Sequence, residues 1–412
     1  MTDDIPASIH ALDASDPLAS FRSRFALPPA VIYLDGNSLG ALPVETAARL
    51  DAVIRQEWGD GLIRSWNSHD WIGASQRVGD KIAGLIGGNP GEVVAADSTS
   101  VNIFKLLMAA LAARPGRKVI LSEAGNFPTD LYVAQGIVSA MPHLSLKAVA
   151  PEELLTAIDE DVAVLLLTHV HYKTGRCHDM AAITQRAHEQ GALVIWDLCH
   201  SAGAVAVDLA AANADMAVGC GYKYLNGGPG TPAFVYVAKR LQDALTSPIT
   251  GWLGHAAPFE FSGEYQPAPG IARFLSGTPP ILGLAALEVG VDLMAQAPAA
   301  ARIEKSQKLC SLFIDAVDGF AGAHGLEVVT PRDKLVRGSQ VSLRHAQAYP
   351  IVQALIAEGV IGDFRAPDIL RFGFAPLYLR YADVWRAADR LRDVLVTGRW
   401  NAPQFKVRAP VT

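Results

Sequence analysis

The sequence predicts an α/β fold, with a mostly parallel central sheet covered by helices and a smaller α+β C-terminal domain. Three observations carry that prediction. From about residue 92, short β-like runs alternate with segments of helical length, and Gly, Pro or charge bounds each run. A helical stretch from about Ile281 to Asp318 then leads into a smaller region with two further strand-like runs. Finally, 412 residues suffice for two domains and a large core, and 50% hydrophobic against 18% charged residues marks an ordered protein.

Taken in order, the strand-like runs are EVVAAD (92–97), KVILSEA (118–124), LSLKAVA (144–150), VAVLLLTHV (162–170), ALVIWDL (192–198) and AFVYVA (233–238). Helical patterns between them include VNIFKLLMAALAA (101–113) and HDMAAITQRAHEQG (178–191). Gly191 falls where a glycine closes a helix C-terminus. Alternation of this kind predicts parallel strands buried on both faces. Ligands of such sheets bind beyond the carboxyl ends of the strands, which is where Thr168 and Asp197 fall. In the C-terminal region QVSLRHA (340–346) reads as a strand, and ILRFGFAPLY (369–378) as a strand leading into a loop. The sequence carries no internal repeat and no low-complexity tract.

Charge and cysteine content narrow the function. A formal net charge of −6 leaves no basic footprint for nucleic acid. Cys177, Cys199, Cys220 and Cys310 are scattered without CxxC pairs, which suits a reducing cytosol. The opening MTDDIPASIHALDASD is acidic and polar, unlike a secretory leader, and the apolar runs are strand-sized or broken by charge. A soluble, cytoplasmic protein is expected.

The most informative stretch is ALVIWDLCHSAGAVAVDL with the GYKYLNGGPG that follows. Asp197 ends an apolar run, His200 stands three residues on, and Lys223 sits in a Gly/Tyr-rich turn 26 residues after the aspartate. Such a pair could serve pyridoxal phosphate, the carboxylate keeping the ring nitrogen protonated and the amine binding the aldehyde. Many α/β enzymes share this spacing, however. A solvated lysine and a turn-capping aspartate are the ordinary alternatives.

Four blocks in order add to that reading: YLDGNSLG (33–40), NFPTD (126–130), WDLCHSAGAV (196–205) and GCGYKYLNGGPG (219–230). Together they resemble the kynureninase family, within the class V aminotransferase group of fold-type-I pyridoxal-phosphate enzymes. The resemblance runs from about residue 15 to about residue 400. It implies a PLP-dependent transferase-like fold divided into an N-terminal segment (1–45) that packs with the small domain, a large cofactor-binding domain (46–280), and a linking helix with a small domain (281–412). The implied reaction is hydrolytic Cβ–Cγ cleavage of L-kynurenine to anthranilate and L-alanine, in tryptophan catabolism or the supply of NAD precursors. Use of 3-hydroxykynurenine is left open, with Thr278 the position to watch.

The resemblance assigns the site residue by residue. Lys223 would carry the cofactor and then take the substrate Cα proton, Asp197 would meet the ring nitrogen, and His200 the ring hydroxyl or the phosphate. Phe127 would stack on the ring, with Pro128, Thr129, Asp130 and Thr168 around it. Read without the resemblance, FPTD is simply the first turn of a helix. DSTSVN (97–102) ends a strand and opens a helix, so Thr99 and Ser100 are phosphate candidates, with Tyr222 as a further donor and the first choice for moving protons. Ordinary N-capping explains the same hydroxyls. Trp252 and Thr278 match positions that reach the phosphate from a neighbouring subunit, which implies a homodimer. Arg371 matches an arginine that binds the substrate α-carboxylate through its planar fork. Ser38 and Trp66 are the candidates for the aryl ketone end.

Rival readings fare less well. A cysteine desulfurase needs a nucleophilic cysteine on a small-domain loop, whereas the comparable region here reads VRGSQVSLRH. An aminotransferase is harder to exclude by residues alone. A non-catalytic PLP-binding regulator would carry a DNA-binding region, which the sequence lacks. Thr168-His169-Val170-His171 with Cys177-His178 has metal-like spacing, but no carboxylate cluster accompanies it, and no metal is expected.

Overall fold

A computed structural model describes residues 5–408. The chain opens with a short helix, Ala7–Ala14, and a two-residue strand, β1 (Ile32–Tyr33). A seven-stranded sheet follows, built from β2 (Val93–Ala95), β3 (Val119–Glu123), β4 (Ser145–Val149), β5 (Val162–Thr168), β6 (Leu193–Asp197), β7 (Met216–Gly219) and β8 (Phe234–Val237). The C-terminal region holds β9 (Glu327–Val328), β10 (Gln340–Arg344), β11 (Val360–Ile361), β12 (Asp363–Arg365) and β13 (Ile369–Gly373).

The large sheet runs in the order β2-β8-β7-β6-β5-β3-β4. Its strands from β7 to β4 pair in parallel, while β8 is antiparallel to both neighbours. All seven residues of β5 are buried, as a strand covered on both faces requires. Leu165 and Leu167 join the core on one face; Val164 and Leu166 join the core on the other. That period-two division makes the apolar run a strand rather than a buried helix.

Two expectations need correction. MAVG (216–219) was not read as a strand, yet β7 lies between β6 and β8 and turns the sheet antiparallel at that edge. The helical stretch from Ile281 to Asp318 is two helices, Ile281–Gln296 and Ala299–Asp318, which meet at 89°. Pro298 explains the break, because it has no N–H to donate and disfavours helix in the residue before it. Gly191 does close its helix in the left-handed region, at φ +72°.

The first of those helices bridges two cores. Leu284, Leu287 and Val291 belong to the core under the large sheet, and Leu293 and Met294 to the core of the C-terminal region. In the C-terminal region β12-β13-β10-β9 forms an antiparallel sheet. Its core takes in Ile9, Leu18, Phe25, Ile32 and Leu34 from the start of the chain, and β1 pairs in parallel with β11. Among the described residues no single helix is long and apolar enough to cross a membrane.

Candidate active site

At the carboxyl ends of β5, β6 and β7 the sheet opens onto a cavity of about 510 Å³. Strand register decides which side chains reach it. Thr168 and Asp197 are paired across β5 and β6, each at its strand's last position, and both line the cavity. Lys223 stands just past β7, 8% exposed, with Nζ 3.0 Å from His200 Nε2. Its amine also lies 5.7 Å from the centroid of Phe127 and 5.8 Å from that of Tyr222.

The YLDGNSLG block braces this turn from outside. Gly40 donates its N–H to Tyr222 O at 2.8 Å, and a Cβ at Gly40 would lie 2.2 Å from Lys223 O. Only glycine allows that approach.

Asp197 Oδ1 accepts the N–H of Cys199 at 2.8 Å, so the turn-capping reading holds while using one carboxylate oxygen. Opposite it, Asp130 is buried beside Thr168, whose hydroxyl donates to Asn126 Oδ1. Burial first, and then the nearby Asp197, push the Asp130 carboxyl well above its ordinary range. Burial, reinforced by Lys223, Arg371 and Arg365, holds His200 well below its usual range. The imidazole is therefore neutral, and its Nδ1 is buried without a partner. Burial likewise raises Tyr222, with Cys220 and Cys199 adding to it, so the phenol keeps its proton.

Two helix N-termini point at the same space. Ser98 caps the helix Thr99–Ala112 by accepting the N–H of Val101 at 3.4 Å. That leaves the hydroxyls of Thr99 and Ser100 on the cavity wall rather than in the cap. Just before them Asp97 adopts φ +51° and pairs with buried Lys105, which also donates to Phe274 O at 2.7 Å. The helix Pro128–Ala140 begins at Phe127, whose ring meets Tyr172 edge-on at 5.2 Å. Phe127, Thr129 and Asp130 line the cavity; Pro128 opens the helix behind them.

An amine, a carboxylate, an aromatic ring, two helix N-termini and an unpartnered imidazole nitrogen thus share one enclosed space. These donors fit a phosphorylated aromatic aldehyde such as pyridoxal phosphate.

The remaining candidates lie elsewhere. Trp252 is half-buried against Trp66 (6.5 Å) and Phe259 (5.6 Å), and Thr278 is exposed; within one chain none of these three candidates lines the cavity. Ser38 sits at the guanidinium of Arg371, 2.8 Å from Nη2. Arg371 is 1% exposed and paired with Asp363, so its charge is compensated inside the protein.

If the β5 strand continued past Thr168, alternation would put His169 and His171 on one face. Because β5 stops at Thr168, His169 and His171 do not share a strand face. His169 bonds Ser201 (2.9 Å) and Cys177 (3.2 Å), His171 bonds Gly125 O (2.8 Å), and His178 pairs with Glu123 (2.6 Å). Among the described residues no group of three or more His, Cys, Asp or Glu could hold a metal ion.

Residues that sequence reasoning passed over also line the cavity: Tyr172, Cys199, Cys220, Thr231 and Pro280. Cys199 and Cys220 follow the ends of β6 and β7, a signal that needed β7 to be seen. Cys310 is fully buried, which removes it as a nucleophile.

The chain is similar to known proteins over almost its whole length. Residues 303–391 match the kynureninase C-terminal domain, and residues 76–218 the DegT/DnrJ/EryC1/StrS aminotransferase family. The chain is 53% identical over 408 residues to a kynureninase of Pseudomonas fluorescens, covering 98% of each. A kynureninase of Burkholderia pseudomallei matches at the same identity and coverage, 53% and 98%. Among solved structures, a cysteine desulfurase from Thermococcus onnurineus superposes with a TM-score of 0.79 at 18% identity, covering 92% of this chain and 98% of that one. That likeness shows a shared fold.

Proposed function

The chain belongs to the kynureninase family, and from that premise we propose how its cavity hydrolyses L-kynurenine to anthranilate and L-alanine. The enzyme is a hydrolase acting on the Cβ–Cγ bond, with pyridoxal phosphate as cofactor. The observation that carries the site assignment is that Lys223 and Asp197 share one cavity at the carboxyl ends of neighbouring parallel strands.

When bound, pyridoxal phosphate supplies an electron-withdrawing ring that stabilises negative charge next to the substrate amine. The residues of the chain do the rest. Lys223 would hold the aldehyde through its amine, and the same amine is the base placed to take the substrate Cα proton. Asp197 keeps the ring nitrogen protonated. Phe127 stacks on the ring, with Pro128, Thr129, Asp130 and Thr168 bordering it. Thr99, Ser100 and the N–H groups of their helix hold the phosphate. His200, in contact with the Lys223 amine, would bond the ring hydroxyl or the phosphate. Tyr222 keeps its phenolic proton near neutrality, so it donates to the oxygen of the γ-ketone as water adds there, recovers a proton from that water, and passes a proton from the hydrate to the β-carbon as the Cβ–Cγ bond breaks. Arg371 receives the α-carboxylate.

The site is completed in a homodimer, with Trp252 and Thr278 reaching the neighbouring cavity and Trp66 alongside them. Exposed Trp58 and Leu282 support this, because they line an apolar depression that shares Pro280 with the cavity. A division near residues 45 and 280 is supported by the β1–β11 pairing and by the core that the two ends of the chain share. A cytoplasmic location fits four cysteines that all stand free.

The test is turnover of L-kynurenine by purified, cofactor-loaded protein, followed by anthranilate fluorescence. Anthranilate with an equal amount of alanine is expected. A spectral change without product would move the substrate to another amino acid.

A further inference from the structure

Beside the cavity, two arginines converge on one carboxylate. Arg371 donates Nε–H to Asp363 Oδ1 at 2.9 Å and a second bond from Nη2 to Asp363 Oδ2. Its other Nη2–H goes to Ser38 Oγ at 2.8 Å, and Nη1 donates to Tyr172 O at 2.9 Å. A guanidinium has five N–H groups, so Arg371 keeps a single one for any ligand. Ser38 is saturated as well. Its hydroxyl donates to Asp363 Oδ2 at 2.6 Å and accepts from Arg371 and, at 3.0 Å, from Arg365 Nη2.

Arg365 is the less committed of the two cations. Its Nη2 serves Ser38 and Asp363 Oδ2 (2.6 Å), and Nη1 makes one long bond of 3.4 Å to Phe364 O. Among the described residues nothing accepts its Nε–H or its second Nη1–H, and its side chain is 32% exposed. Both guanidiniums act electrostatically on His200, which lines the cavity.

We propose that Arg365 is a second ligand for the substrate α-carboxylate, supplying the free N–H groups that Arg371 has spent on Asp363, Ser38 and Tyr172. This rests on the placement of the substrate carboxylate at Arg371 given above.

The charge of the cluster fits one added anion. Asp35 lies beside Asp363, and its Oδ1 has no partner. Burial, then the Asp363 charge, raise Asp35 to about 8, against the lowering influence of Arg371 and Ser38. Asp363 stays ionised: burial opposes this, but Arg371 and Arg365 hold its carboxyl below the ordinary range. Tyr33, Tyr224 and Tyr378 also face Asp35, and burial keeps all three phenols protonated. At neutral pH the cluster therefore holds two cations against one anion, with room for one carboxylate. As pH rises through about 8, Asp35 ionises, the excess positive charge disappears, and carboxylate affinity falls.

The test is calorimetric titration of the holoenzyme with 4-oxo-4-phenylbutanoate, which has the ketone and the carboxylate but no amine, and with its neutral amide. Arg365→Gln should weaken the acid by about tenfold to a hundredfold, the range of charge-assisted hydrogen bonds, and leave the amide unchanged. Arg365→Lys keeps the charge and loses the fork, so it should fall between wild type and Arg365→Gln, and it serves if the glutamine variant folds poorly. Wild-type affinity for the acid should fall above pH 8, and Asp35→Asn should remove that fall. Acid binding untouched in Arg365→Gln but lost in Arg371→Gln would overturn the role of Arg365 alone. Acid and amide binding alike to wild type, Arg365→Gln and Arg371→Gln would overturn the carboxylate site itself.

Discussion

Asp197 and Thr168 reach the cavity from the last positions of two buried, paired strands, whereas Arg371 and Ser38 reach chiefly Asp363 and one another. The cofactor wall is positioned by sheet register: the ladder that fixes β5 against β6 also fixes the carboxylate against the threonine. The guanidinium cluster adds ion pairs to register: Asp363 and Arg371 are partners across β12 and β13, Arg365 joins from β12, and Ser38 from the loop after β1. Register is indifferent to charge, but an ion-pair cluster is not. The cavity wall is thus set by backbone hydrogen bonds, while the cluster next to it depends on a balance of charge.

The comparison can be broken first at the wall. Lys223→Ala should reduce turnover to background and remove the near-visible absorbance of lysine-bound cofactor; normal activity would dismantle the site. Asp197→Ala should lower turnover by orders of magnitude and speed the loss of cofactor on dialysis, because the ring nitrogen loses its counter-charge. Neither change should disturb the Arg371 cluster.

Arg371→Ala is the sharper test of the other side. Substrate KM should rise with the cofactor absorbance intact. Stability should also fall by about 3–5 kcal/mol in urea unfolding, since Asp363 would remain buried with only Arg365 to pair it. A KM effect with no loss of stability would mean that the cluster does not hold the fold.

The subtlest test addresses the proposed sharing of the site between two chains. Mixing Lys223→Ala with Trp252→Ala protein and letting protomers exchange should give turnover above the mean of the two. Turnover at that mean would place Trp252 outside the neighbouring cavity.

Much of the wall was legible in the sequence because register is written in short apolar runs. ALVIWDL brackets β6 to within one residue at each end, and Lys223 follows in its glycine turn. β7 was not legible: MAVG is only four residues long and follows an alanine-rich loop, so no periodicity separates it from its surroundings. Losing β7 also hid Cys220 as a cavity residue. The Asp363–Arg371 pair was illegible for another reason. Its partners face each other across antiparallel β12 and β13, and no pattern in GDFRAPDILRF tells a carboxylate partner from a solvated one. Ser38 comes to the same cluster from the far end of the chain, a contact no local reading supplies.

The pairing of β1 with β11 sets a timetable for synthesis. Ile32 leaves the ribosome early, yet its partner Val360 arrives only near the end, on the order of tens of seconds later at ordinary translation rates. Until then Leu18, Phe25, Ile32 and Leu34 have no finished core to enter. The nascent chain must carry a sticky, unhoused leading segment while the seven-stranded sheet assembles behind it, which makes that segment the natural point for a chaperone to hold.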